Sequence, residues 1–184
     1  MNGPSRDDAI AATRAWIEKA VIGLNLCPFA KAVYVRNQIR FTLSEARTTD
    51  ELLDDLVRAL RELAEVPAEE VDTTLLIHPH VLGDFLDYND FLAVAEAAVD
   101  ELGLTGVLQV ASFHPRYQFA DTEPDDVTNC TNRSPYPTLH ILREASVDAA
   151  VAAFPDTDAI YRRNIETMRR LGAAGWAALR IEPD

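Results

Sequence analysis

The chain is predicted to be an α/β fold: one layered domain with a short, mainly parallel sheet of about four strands flanked by helices. Three observations predict it. Apolar residues alternate between helical and strand spacing along the chain. Strand-like runs are separated by single helices, an order that favours parallel crossovers. The 184 residues, 48% of them apolar, suffice for one core and are too few for two ordinary domains. Residues 1–184 are therefore expected to form a single globular domain.

The first element is a helix over residues 7–25, with Ile10, Thr13, Ile17, Ala20, Val21 and Leu24 on one face and Pro28 as its stop. Ile39, Phe41 and Leu43 alternate with Arg40 and Thr42, the period of a half-buried strand. Thr48 and Glu51 then form a capping box for a helix whose buried stripe is Leu52, Leu53, Leu56, Leu60 and Leu63. After Pro67, residues 73–77 form a short apolar strand ending at His78-Pro79-His80. A third helix spans residues 88–102, closed by Gly103 at the first position past its end. Residues 107–113 and 138–142 are two further strands; in the second, Leu139 and Ile141 face one way and His140 the other. Ser146 is expected to cap a short helix and Thr157 a longer one carrying Ile160, Asn164, Ile165, Met168 and Leu171 inward. The C-terminal tail is expected to be a packed helix end.

Composition excludes several functions. A net charge of −13 opposes nucleic-acid binding, which needs clustered cations to release counterions. No apolar stretch reaches the length of a signal core or a membrane span, so neither nucleic acid nor membrane is an expected partner and a cytoplasmic location is expected. Two cysteines, Cys27 and Cys130, are too few for a secreted disulfide framework. The adjacent sequons at Asn129 and Asn132 carry no weight without a secretory route.

Residues 113–143 hold two of the four histidines, three arginines and four prolines. So long a connector is usually functional, and ligands in α/β sheets collect beyond the carboxyl ends of strands. His114 and His140 flank it and are the candidate acid/base residues, since imidazole titrates near neutrality. Arg116, Arg133 and Arg143 offer planar forks for carboxylate or phosphate, and Asn132 and Tyr136 complete the expected substrate-binding set with Arg116 and Arg133. Asn132, Ser134, Pro135 and Pro137 equally satisfy the needs of a rigid turn. Cys27 is the candidate nucleophile, held in one orientation before Pro28; a thiolate there needs a cationic or imidazole neighbour its own helix does not supply. A resident metal is not expected; the weaker alternative set is His78, His80, His114 and Asp121, whose spacing matches no zinc pattern. No glycine-rich phosphate cradle and no serine elbow is present. The cofactor is left open.

Leu-Cys-Pro-Phe-Ala at 26–30, Phe-His-Pro-Arg-Tyr-Gln-Phe at 113–119 and Thr-Asn-Arg-Ser-Pro-Tyr-Pro-Thr-Leu-His-Ile-Leu-Arg at 131–143 resemble a bacterial family of uncharacterised proteins, domain of unknown function 1415. The resemblance spans nearly the whole chain and implies a soluble bacterial protein; it brings no activity, cofactor or catalytic residue with it. Cys27, His114, Arg133 and His140 all fall inside the three motifs.

The expected function is a small cytoplasmic enzyme acting on a small anionic or amide-containing metabolite by Cys/His chemistry, with Arg133 as substrate clamp. The alternative is a non-catalytic binding or assembly module that docks a partner through the 113–143 loop, with Tyr117, Phe119 and Tyr136 as anchors. A metal-dependent hydrolase is the third reading. Oligomeric state is not legible in the sequence.

Overall fold

A computed structural model describes residues 4–181; the first and last three residues of the expected domain lie outside the described residues. Four strands form one sheet in the order β1-β2-β4-β3: β1 Ile39–Leu43, β2 Thr73–Ile77, β3 Leu108–Phe113 and β4 Thr138–Arg143. The expected α/β layering with four strands is what the chain adopts. Its sheet is mixed. β1 and β2 pair in parallel, but β4 runs antiparallel to both β2 and β3. The physical reason is the connector 114–137, whose one helical segment is a short 3-10 turn at Val127–Asn132 rather than a crossover α-helix, so the chain turns back. β4 is thereby inserted between β2 and β3, which otherwise point the same way as β1.

Helices cover both faces. α3 (Thr49–Glu65) and α4 (Phe85–Glu101) close one side, where Leu52, Leu56, Leu60 and Leu63 meet Leu76, Tyr88, Leu139 and Ile141. Each such buried side chain contributes roughly 1.5–3 kcal/mol. α3 begins with the predicted capping box: the Thr48 hydroxyl accepts from the Glu51 amide, and the Glu51 carboxylate accepts from the Thr48 amide. α4 starts three residues earlier than the periodicity indicates, because Asp84 accepts from the Leu86 and Asp87 amides and acts as N-cap. It ends as predicted, with Gly103 at φ 67° and amides of Gly103 and Leu104 bonded to the Asp100 and Val99 carbonyls, the Schellman pattern.

The opposite face carries α1 (Arg6–Trp16), a π-helical segment Ile17–Ile22, α2 (Ala30–Val35), α5 (Glu144–Ala153) and α6 (Thr157–Ala178). Here the single predicted helix over 7–25 is corrected: regular α geometry stops at Trp16, and the wider π turns bring Trp16, Ile17 and Ala20 into the core together. A side chain at Gly23 would sit 2.3 Å from the Lys19 carbonyl oxygen, so this exit admits only glycine. Ser146 does not cap α5; its hydroxyl bonds Asp72 at 2.6 Å. The cap of α6 is Asp156 rather than Thr157, and Gly172 at φ 68° breaks α6 near its end.

Candidate functional site: two cavities at the sheet

The first motif follows the π segment. Asn25 at φ 53° turns the chain, and α6 then grips it: Arg163 donates to the Asn25 carbonyl and Asn164 to the Leu26 carbonyl, each at 2.9 Å. Cys27, half-buried, directly follows these two anchored carbonyls. It lines a cavity of about 430 Å³ between the sheet and the α1/π, α2 and α5 layer. Trp16, Phe29, Leu75, Phe113 and Val147 make its walls apolar, and His140 lies in its floor.

β4 places His140 as predicted, opposite Leu139 and Ile141, whose side chains enter the α3/α4 core. Its ring stands 5.6 Å from Phe113. Thr73 fixes its proton. The Thr73 hydroxyl donates to the Ile141 carbonyl at 2.6 Å and lies 2.8 Å from His140 Nε2. With its one proton committed, the hydroxyl accepts from the ring, so His140 is held as the Nε2–H tautomer. Nδ1 keeps its lone pair, and no described residue bonds it. Burial lowers the imidazole pKa to about 4, so the ring is neutral at pH 7. Trp16 adds a buried indole N–H that no described residue accepts.

His114 is disposed differently. Nε2 lies 3.1 Å from the Leu82 carbonyl, to which it donates, while Nδ1 accepts from the Arg116 amide at 3.0 Å. Both nitrogens are therefore occupied by backbone, and burial again lowers the pKa. The ring packs on Phe85 and Tyr88. Across Tyr88 stands His78, fully buried, its Nδ1 donating to the Val81 carbonyl and its Nε2 without a partner. Desolvation pulls His78 to about 4.

Arg116 and Arg133 line a second cavity of about 390 Å³ with Asp84, Phe85, Gln118 and Pro124. Arg133 also ties the connector together, donating through Nε to the Tyr117 carbonyl and through Nη2 to the Pro124 carbonyl. Arg116 donates to the Gly83 carbonyl. Cys27 and His140 thus share one cavity and Arg116 and Arg133 another; the substrate clamp and the Cys/His pair are not brought to one place. Asn132 and Tyr136 line neither cavity: the Asn132 carbonyl accepts from the His114 amide, and the Tyr136 carbonyl accepts from Ser134 and Thr138. His80 faces Glu45 at 3.4 Å, Asp121 sits in a left-handed turn at φ 63°, and among the described residues no group of three or more His, Cys, Asp or Glu is arranged to hold a metal ion.

Three contributors escape sequence reasoning. Thr73, read only as the start of a strand, sets the tautomer of His140. Buried Asn129 organises the connector, its carbonyl oxygen accepting from the Phe119 amide and Thr122 hydroxyl and its amide donating to the Glu123 carbonyl. Arg143 caps α3 instead of facing a ligand: its guanidinium donates to the Leu63, Val66 and Val71 carbonyls. No sequence signal marks the roles of Thr73 and Arg143, whose partners lie 67 to 80 residues away along the chain.

No helix of the described residues is long and apolar enough to cross a membrane. No curated protein and no solved structure matches the chain. A family profile described as Protein of unknown function (DUF1415) matches residues 8–178 of the 184, a span that holds every residue lining both cavities, and the chain belongs to that family.

Proposed function

We propose that this protein is a small cytoplasmic bacterial enzyme that uses Cys27 as nucleophile and His140 as base on an amide- or ester-bearing metabolite with an apolar body. The observation that carries this reading is the shared cavity: two of the motif residues with reactive side chains line one apolar chamber, and the histidine keeps a free lone pair there. Cavities of this size and lining suit small ligands. An anionic substrate, expected from Arg133, fits this chamber poorly because its walls carry no cation.

In the proposed step the Cys27 thiol proton passes to His140 Nδ1 as sulfur bonds to the substrate carbonyl carbon. The carbon–leaving-group bond then breaks, and the leaving amine or alcohol departs with that proton. Water, deprotonated by the same nitrogen, cleaves the acyl–sulfur bond and releases the acid and the free thiol. A fully formed imidazolium is costly in so dry a site, which favours proton transfer in concert with bond making.

Alkylation of the native protein by iodoacetamide, followed by peptide mass spectrometry, tests the pairing. Cys27 should react faster than in the His140→Gln variant, with an acid limb governed by a base below pH 6.5. Equal rates in the two proteins across pH would make Cys27 an ordinary core thiol.

A further inference from the structure

We propose that the cavity holding Arg116 and Arg133 is a second, separate binding site, for a small metabolite bearing an oxyanion, carboxylate or phosphate, next to an ammonium or hydroxyl donor. The chain carries 30 acidic residues against 17 basic ones. Arg40, Arg58 and Arg162 each pair with a carboxylate. Among the described residues, however, neither Arg116 nor Arg133 is ion-paired. Both are instead oriented by backbone: Arg116 by the Gly83 carbonyl, and Arg133 by those of Tyr117 and Pro124. Each retains further N–H donors, because a guanidinium carries five.

Two forks held by neutral carbonyls keep their full charge, and a fork whose orientation is fixed before binding loses little entropy on meeting a planar anion. Gln118 lines the same cavity, although its amide nitrogen is engaged by the Thr122 carbonyl. The remaining charge in the wall is Asp84. Its Oδ1 accepts from the Leu86 and Asp87 amides in the first turn of α4, while Oδ2 has no hydrogen-bond partner among the described residues. A bare dianion would meet this carboxylate as a like charge. A ligand with a donor beside its oxyanion would satisfy it, and this selects the proposed class. Phe85, Leu86, Pro115 and Pro124 supply apolar contact for the carbon skeleton.

Isothermal titration with inorganic phosphate, malonate and L-aspartate tests the proposal on the full chain. Aspartate and malonate share two carboxylates, and only aspartate adds the ammonium. Wild type should bind aspartate more tightly than malonate. Arg116→Gln and Arg133→Gln should each weaken both by about tenfold or more, the scale of a lost charge-assisted pair. Asp84→Asn should reverse the order, tightening malonate and phosphate while weakening aspartate. Arg116 is exposed and makes one backbone contact, so its variant folds even where Arg133→Gln loosens the connector. Absence of saturable binding to all three, malonate binding as tightly as aspartate, or unchanged affinity in Arg116→Gln would overturn the proposal. Cys27 labelling should be the same in Arg116→Gln as in wild type; a changed rate would make the cavity part of the catalytic site and end the claim of separateness.

Discussion

Lowering the pH from 6.5 toward 4 should destabilise this fold through its buried histidines. His78 and His140 have folded-state pKa values of about 4, against an ordinary value of 6.5. In both, desolvation is the leading cause. Because the folded pKa is depressed below the unfolded one, the unfolded chain binds more protons between those values, and stability rises with pH across that window. The contribution is complete above about pH 6.5 and is lost as pH falls toward 4; a shift of this size corresponds to about 3 kcal/mol per histidine. At about pH 5 the two histidines together take up close to two protons on unfolding. His114 shifts in the same direction. The depressed carboxylates Glu51 and Asp126 act in the range of their own ordinary values, 4.5 and 3.8, at the acid end of this window. Urea unfolding followed by the fluorescence of buried Trp16 and Trp176, repeated across pH, gives the slope directly. His140→Gln, which keeps a donor for Thr73, should reduce that slope by about 1 kcal/mol per pH unit. An identical slope in wild type and variant near pH 5 would refute a desolvated, neutral His140.

Arg143→Met should destabilise the fold by about 3 kcal/mol in the same assay, because the part-buried carbonyls of Leu63 and Val66 at the end of α3 and of Val71 beyond it lose a charged donor; a change within a few tenths of a kcal/mol would mean those carbonyls are satisfied otherwise. Thr48→Ala removes the N-cap of α3 and should cost about 1 kcal/mol, read as an earlier urea midpoint at unchanged slope. Thr73→Val removes the hydroxyl that fixes the tautomer of His140. It should slow Cys27 alkylation toward the rate of His140→Gln, and a wild-type rate would show that the threonine has no positioning role.

Local signals carried far into the fold. The period of two in Ile39–Leu43, the Thr48/Glu51 pair and Gly103 after a helical stripe each act within a few residues, so the chain itself records them. The direction of β4 depended on its pairing with β2 and β3, residues far away in sequence, and single-helix spacing gave no view of it. Arg143 looks like an anion fork because its type is visible and its partners, Leu63, Val66 and Val71, are not. The separation of Arg133 from His140 has the same origin. Strand alternation correctly turned His140 away from Leu139 and Ile141, but the chain did not record which cavity the connector's Arg133 would line. The π segment escaped because its apolar spacing at Ile17, Ala20 and Val21 still fits an ordinary helix.

Trapping of an acyl-enzyme tests the central claim, that Cys27 and His140 form one reactive site in the apolar cavity. The protein is mixed with a medium-chain p-nitrophenyl ester, quenched in acid and read by intact-mass and peptide mass spectrometry. The account predicts one acyl group per chain, located on Cys27, absent in Cys27→Ala and accumulating far more slowly in His140→Gln. Acylation spread over surface lysines, or modification of Cys27 at the same rate in His140→Gln as in wild type, would contradict it.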